Sequence, residues 1–313
     1  MKEKIQSELH AVLDELSEMK FSTREEIRNS RALTKQAFKG ETPISRSKVR
    51  VTDKHIPGQE EGQNIRIRIY EPVMPVKTIS PGLYWIHGGG YLSGTPEMND
   101  DLCERFVLEA GCVVISIAYR LAPEHPFPAG VEDCYTGLKW VSDHAGELGL
   151  DPERIGVAGH SAGGGLTAAV CLMARDRGGP KIAFQMPLCP MLDYRNITTS
   201  SQEITDTRVW NYYSNQAAWE AYLAGQTEDV SVYASPASAE DFTGLPAAYT
   251  MVGGADPFRD ETIEYISRLS QAGVHAEFHL YPGCFHGFEG IAPQAEVSQR
   301  AVRGYIDALK RNL

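Results

Sequence analysis

The sequence predicts an α/β fold, with a mostly parallel central sheet flanked by helices and a small helical cap. Three observations predict it. From residue 82 onward, apolar runs of strand length alternate with helical patterns. Such continuous apolar strands belong to a parallel sheet covered on both faces. Next, Gly159-His160-Ser161-Ala162-Gly163 joins a short apolar strand, Arg154 to Ala158, to a helix rich in small residues, Leu166 to Arg175. That is a sharp strand-to-helix turn with one serine at its point. Last, residues 191 to 235 carry no strand between two strand signals, yet hold Trp210, Tyr212, Tyr213, Trp219, Tyr222 and Tyr233. An aromatic insertion after a strand's C-terminal end falls where open α/β sheets bind ligands.

Taken in order, residues 1 to 40 are expected to be helical. Ile5, Leu9, Val12, Leu13, Leu16 and Met19 recur at helical spacing, and Ser22-Thr23-Arg24-Glu25-Glu26 resembles a capping box opening a second helix. Val49 to His55 and Asn64 to Tyr70 are expected strands, turned at Pro57-Gly58. In the second, Ile65, Ile67 and Ile69 alternate with Arg66 and Arg68, the pattern of a half-exposed strand near a sheet edge. Strand Gly82 to Ile86, helix Glu97 to Ala110, strand Cys112 to Tyr119 and helix Val131 to Leu148, closed by Gly149, come next. After the serine turn follow strand Ile182 to Cys189, strand Ala247 to Val252, helix Glu261 to Ala272, strand Ala276 to Tyr281 and a final helix, Val297 to Leu309. The expected division is 1–45 as N-terminal helices forming part of a cap, 46–190 with 236–313 as the core, and 191–235 as the cap insertion.

The chain has 313 residues, enough for such a core with a small accessory piece. Its formal net charge is −11, which argues against nucleic acid or an anionic membrane as partner. No stretch approaches the roughly 20 apolar residues of a membrane span. The six cysteines form no C-x-x-C pair and sit mostly in apolar surroundings, as expected of reduced thiols in a cytoplasmic protein. With no signal-peptide-like apolar core at the N-terminus, Asn196-Ile197-Thr198 is not expected to carry a glycan.

Ser161 has the position of a nucleophile, aimed out of the sheet with a helix N-terminus behind it. Serine needs a base. Among nine histidines His286 stands out, in a Gly-flanked loop between the strand Ala276 to Tyr281 and the last helix. Its carboxylate partner is expected to be Asp256, just past the strand Ala247 to Val252, which gives the chain order Ser, Asp, His. Asp256 also suits the start of a helix at Pro257, and the two roles are compatible. Asp260 is the rival, one helical turn on. An oxyanion hole requires backbone amides near the serine. Ala162 supplies one, and His87-Gly88-Gly89-Gly90 can turn others inward with no side chain in the way. The phosphate-loop and dinucleotide spacings are absent.

These motifs, together with Gly94, Tyr119-Arg120-Leu121-Ala122-Pro123-Glu124-His125-Pro126-Phe127-Pro128-Ala129, Asp256-Pro257-Phe258-Arg259-Asp260 and His286-Gly287-Phe288, resemble a hormone-sensitive-lipase-type α/β-hydrolase of the bacterial esterase group, over roughly residues 80 to 290. The resemblance implies the α/β-hydrolase fold, with Ser161 as nucleophile, His286 as base and Asp256 as its partner. It implies Gly89, Gly90 and Ala162 as oxyanion donors, with Gly88 a further candidate. It also implies a cap built from the N-terminus and the insertion. Two positions depart from the family pattern. His160 stands where many members have Asp; it is expected to pair with a nearby carboxylate or alter access, not to act as base. Phe258 stands where Leu is more usual.

The expected function is therefore hydrolysis of small, short-acyl carboxylic esters through an acyl-enzyme, with no cofactor and no metal. An amidase or deacetylase using the same triad is the alternative, and a non-catalytic receptor on this fold a third reading. The strand Ala276 to Tyr281 and the last helix offer a homodimer edge of the kind some relatives use.

Overall fold

The computed structural model describes residues 2–18, 21, 23–37, 48–74 and 79–313. Eight strands form one sheet: β1 (Val49–Pro57), β2 (Asn64–Pro72), β3 (Ser80–Ile86), β4 (Val113–Ala118), β5 (Leu150–His160), β6 (Phe184–Leu188), β7 (Ala247–Ala255) and β8 (Ala276–Phe285). Their order is β1-β2-β4-β3-β5-β6-β7-β8. β2 is antiparallel to β1 and β4, and every other neighbouring pair is parallel.

Strand alternation builds a core on each face. In β3, Tyr84 and Ile86 enter a cluster with Ile115, Ile117 and Val157, whereas Leu83 and Trp85 enter a second one with Val114, Phe184 and Tyr249. This two-sided burial is why the central strands are continuously apolar. β2 is second from the edge: Ile65, Ile67 and Ile69 are buried, while Arg66 pairs with Glu97 and Arg68 with Asp100.

The helices are α1 (His10–Glu15), α2 (Arg24–Ala37), α3 (Asp100–Arg105), α4 (Ala129–Asp143), α5 (Ala162–Asp176), α6 (Thr199–Glu203), α7 (Tyr212–Tyr222), α8 (Arg259–Gln271), α9 (Phe288–Ile291) and α10 (Glu296–Asn312). α5 packs beside α4 on one face, and α10 lies in the opposite cluster.

Several boundaries differ from the sequence expectation for physical reasons. The N-terminal helix is broken into two 3₁₀ turns and the short α1. Gln6 interrupts it, because its N–H donates to the Gly283 carbonyl and its side-chain amide to that of Pro282. The apolar spacing still holds, since Ile5, Leu9 and Leu13 are all buried; Met19 lies outside the described residues. At α2 the capping box closes on Thr23, which exchanges hydrogen bonds with Glu26 at 3.0 and 3.1 Å; Ser22 is also outside the described residues. The helix expected over 97–110 is three pieces, a 3₁₀ turn, α3 and a π-helical turn Phe106–Ala110 that buries Phe106 and Val107. α4 stops at Asp143 instead of Leu148, and the Leu150 N–H bonds back to Ala145 to start β5.

Within the insertion, α7 carries Tyr212, Tyr213, Trp219 and Tyr222, and Trp210 stands two residues before it. Tyr222 stacks on Tyr91 at 4.0 Å and Trp219 lies 5.4 Å from it, so part of the aromatic content anchors the insertion to the core. Trp210 meets Phe21 of the N-terminal segment at 5.6 Å.

Candidate active site

The serine turn is built by close backbone approach. A Cβ on Gly163 would lie 2.0 Å from the Ile86 carbonyl oxygen, and one on Gly159 would lie 2.3 Å from that of Gly163. Only glycine lets β5 run into α5 this tightly. Ser161 itself takes φ 59° and ψ −120°, a conformation that costs a side-chain-bearing residue about 1–3 kcal/mol. The surroundings hold it there: its N–H donates to the Leu188 carbonyl, and its own carbonyl accepts from Gly165 and Met191.

β8 ends at Phe285, so His286 opens the following loop, where Gly287 takes φ 71°. His286 Nε2 lies 2.8 Å from Ser161 Oγ, and its Nδ1 lies 2.7 Å from Asp256 Oδ2. All three side chains are buried. An ionised carboxylate can only accept, so Nδ1 carries the hydrogen and Nε2 presents its lone pair to the serine hydroxyl. Asp256 does both things its position allows. Its Oδ1 accepts the Phe258 N–H at 2.9 Å, turning the chain into α8, while Oδ2 holds the imidazole. Asp260 faces elsewhere, accepting from the Ser200 N–H and Arg259. The Phe258 ring meets the imidazole edge-on at 5.0 Å.

The glycine loop follows β3. Gly89 and Gly90 take φ 118° and 61°, and a Cβ on Gly88 would sit 2.7 Å from the His160 carbonyl oxygen. Among the described residues, no protein acceptor takes the Gly89 or Gly90 N–H. Ala162, as first residue of α5, has no acceptor within its own helix. His87 fixes the loop's base. It stacks on Tyr119 at 4.4 Å, its Nδ1–H donates to the Gly88 carbonyl, and its own carbonyl accepts from the Tyr119 hydroxyl. Thus the Tyr119-Arg120 motif supports the glycine loop from behind.

Burial lowers the His87 pKa to about 4, against an ordinary value of 6.5. The unfolded chain therefore binds one more proton than the native one between those pH values. Stability must rise with pH through that window and fall on acidification from 6.5 to 4, by up to about 3 kcal/mol from this residue. Chemical denaturation at a series of pH values is expected to show this slope, and His87→Gln to remove that share of it.

Sequence reasoning left the partner of His160 open. The structure supplies Glu289: its Oε1 lies 2.7 Å from His160 Nε2. Burial lowers the imidazole's pKa, but contact with the Glu289 carboxylate outweighs it and holds the pKa above its ordinary value. Burial likewise raises Glu289, and His160 pulls it below the usual carboxylate value. Cys189 Sγ lies 3.0 Å from the same nitrogen. Two further residues were not singled out individually in the sequence. The Trp210 ring covers Gly90 so closely that a Cβ there would lie 2.3 Å from Cη2, and it stands 6.4 Å from His286. Arg31 of α2 donates to the Leu92 and Ala122 carbonyls, tying the N-terminal segment to the two loops. Trp210 had a signal in the aromatic insertion; Arg31, Glu289 and Cys189 had none.

Comparison with known proteins identifies the family. A family model described as the alpha/beta hydrolase fold matches residues 83–290. Esterase LipI of Mycobacterium tuberculosis is 35% identical over 264 residues, covering 84% of this chain and 82% of that protein. The arylesterase of Saccharolobus solfataricus is 34% identical over 260 residues, covering 81% of each. The solved structure of a bacterial heroin esterase superposes with a TM-score of 0.94 at 39% identity, covering 100% of this chain and 99% of that one. The chain belongs to the α/β-hydrolase fold family, within its hormone-sensitive-lipase-like group of bacterial esterases.

Proposed function

We propose that this ester hydrolase cleaves short-chain carboxylic esters through an acyl-enzyme formed on Ser161. The observation that carries the proposal is the hydrogen-bonded series Ser161 Oγ, His286 and Asp256, with spacings of 2.8 and 2.7 Å. Ser161 attacks the ester carbonyl while His286 Nε2 takes its proton. Asp256 stays ionised and stabilises the imidazolium. The amides of Gly89, Gly90 and Ala162, with Gly88 as a further candidate, receive the oxyanion, and the N-terminus of α5 adds favourable potential. His286 then protonates the leaving alcohol and activates the water that frees the acid. None of these steps calls for a cofactor or metal.

The N-terminal segment expected over 1–45, of which 38–45 lie outside the described residues, and residues 191–235 serve in this proposal as a cap that bounds the acyl site. Support comes from the contact between Phe21 and Trp210 and from the seating of Trp210 over Gly90. A large ring fixed that close to an oxyanion donor favours small acyl groups. Hydrolysis of p-nitrophenyl esters from acetyl to palmitoyl is expected to be fastest for acetyl or butyryl, and fastest turnover of the palmitoyl ester contradicts the proposal.

Among the described residues no helix is long and apolar enough to cross a membrane. The six cysteines are all unpaired and buried, which supports a reducing, cytoplasmic setting. β8 is an outer strand of the sheet and leaves Leu280 exposed, which supports a homodimer formed along it with α10. Light scattering on the eluting peak of a sizing column is expected to give twice the chain mass. A monomer at micromolar concentration discards the dimer.

A further inference from the structure

Behind the serine, two donors that the ester mechanism leaves unused, His160 and Cys189, stand beside the catalytic His286. His160 precedes Ser161 on the turn, and Cys189 follows β6 with φ 34°. One ligand atom each from His160, Cys189 and His286 lie within 4.8 Å of one another, and His160 Nε2 and Cys189 Sγ are 3.0 Å apart. Two imidazoles and a thiol form a donor set suited to zinc and similar thiophilic divalent cations. In tetrahedral coordination with Zn–N about 2.0–2.1 Å and Zn–S about 2.3 Å, neighbouring ligand atoms stand roughly 3.4 Å apart. The His160–Cys189 spacing of 3.0 Å is just short of that value, and all three atoms lie within 4.8 Å of one another.

Two further features fit a metal. His286 already donates its Nδ1–H to Asp256, the carboxylate–histidine arrangement that commonly orients a metal-binding imidazole, and its Nε2 lone pair, now facing the Ser161 hydroxyl, is the one that would ligate. Glu289 touches His160 through Oε1, while its other oxygen, Oε2, is buried without a hydrogen-bond partner among the described residues. That leaves a carboxylate oxygen available beside the three donors. His160 keeps about a quarter of its side chain exposed (23%), so the group has a route to solvent.

We infer that His160, Cys189 and His286 form a site for a thiophilic divalent cation of the zinc type, and that its occupation switches the esterase off. On binding, the thiol releases its proton to solvent, and the His160 Nε2 proton shifts to Nδ1 if the ring is neutral or leaves to solvent if it is imidazolium. Nδ1 thus keeps a hydrogen, and the ion takes the thiolate and Nε2 lone pairs. It also takes the lone pair of His286 Nε2, which is then no longer available to Ser161. Glu289 or a water completes the shell. Binding depends only on the donor geometry; inhibition rests in addition on His286 acting as base.

The test separates the two. Cobalt(II) is titrated into the Ser161→Ala protein, which keeps all three donors, and thiolate-to-cobalt charge-transfer absorption is followed. The band is expected at one ion per chain, and Cys189→Ser, a nearly isosteric change, is expected to abolish it. In parallel, zinc is titrated against esterase activity of the wild type, with recovery on adding a chelator. Cys189→Ser and His160→Asn are expected to keep their turnover and to raise the half-inhibiting zinc concentration at least about tenfold. Absence of the band, or a band unchanged by Cys189→Ser, overturns the site. A band that responds to Cys189→Ser, with zinc inhibition equal in wild type and both variants, overturns the switch. If Ser161→Ala retained activity, the ester mechanism would fail, while the cobalt titration would still decide the site.

Discussion

Ser161→Ala is expected to lower kcat on a p-nitrophenyl ester by about 10⁴- to 10⁶-fold while leaving the fold intact. The hydroxyl contributes one hydrogen bond, to His286 Nε2, and nothing else in the turn depends on it. The unusual backbone at Ser161 is held by the bonds to Leu188, Gly165 and Met191, all made by main-chain atoms that alanine keeps. A residual rate above water is expected, because the oxyanion amides and the binding site remain. The loss should appear in kcat with little change in substrate affinity, since the hydroxyl's contribution is realised only as the new bond forms. Steady-state kinetics beside a circular dichroism spectrum and a melting curve check it. A variant that kept more than a small fraction of wild-type turnover would remove Ser161 from the mechanism.

The second large effect concerns Asp256. Asp256→Asn is expected to lower kcat by about 10⁴-fold, because an amide in this position selects the wrong imidazole tautomer. The asparagine oxygen can still accept from the Phe258 N–H and keep the entry to α8. Its NH₂ group then faces His286 Nδ1 and turns that nitrogen into an acceptor. The ring proton moves to Nε2, where it opposes the serine hydroxyl. Asp260→Asn is the control. Its carboxylate serves the Ser200 N–H and Arg259 and makes no bond to the imidazole, so kcat should change only a few-fold, with any cost falling on stability. Equal losses in the two variants would contradict the assignment of Asp256.

The particular residues show why some of this was legible in the sequence and some was not. Gly159, Ser161 and Gly163 announce themselves because a turn this tight excludes any Cβ at the flanking positions, so the constraint is local. His286 and Asp256 were found because they follow strands whose C-terminal ends share one edge of a parallel sheet, and chain order then stands in for spatial order. The central strands were legible because two-sided burial leaves no polar alternation. Long-range partners are another matter. Glu289 meets His160 only once β5 and the loop after β8 are side by side. Trp210 meets Gly90 only after the insertion folds back. The N-terminal helix was misjudged in form but not in burial: Ile5, Leu9 and Leu13 keep their apolar face, while the hydrogen bonds from Gln6 to the Pro282 and Gly283 carbonyls break the helix. A periodicity argument sees the face and not the distant carbonyls that compete for the backbone.

The account rests on one atom, Ser161 Oγ, carrying the acyl group. The most direct measurement is covalent labelling with a p-nitrophenyl alkylphosphonate, whose phosphorus takes the place of the ester carbonyl carbon and leaves a stable adduct. Intact-mass and peptide mass spectrometry then locate it. One adduct per chain, on Ser161, formed in step with loss of esterase activity and absent in Ser161→Ala, is the predicted result. An adduct on another residue, or full loss of activity with Ser161 unmodified, would contradict the account.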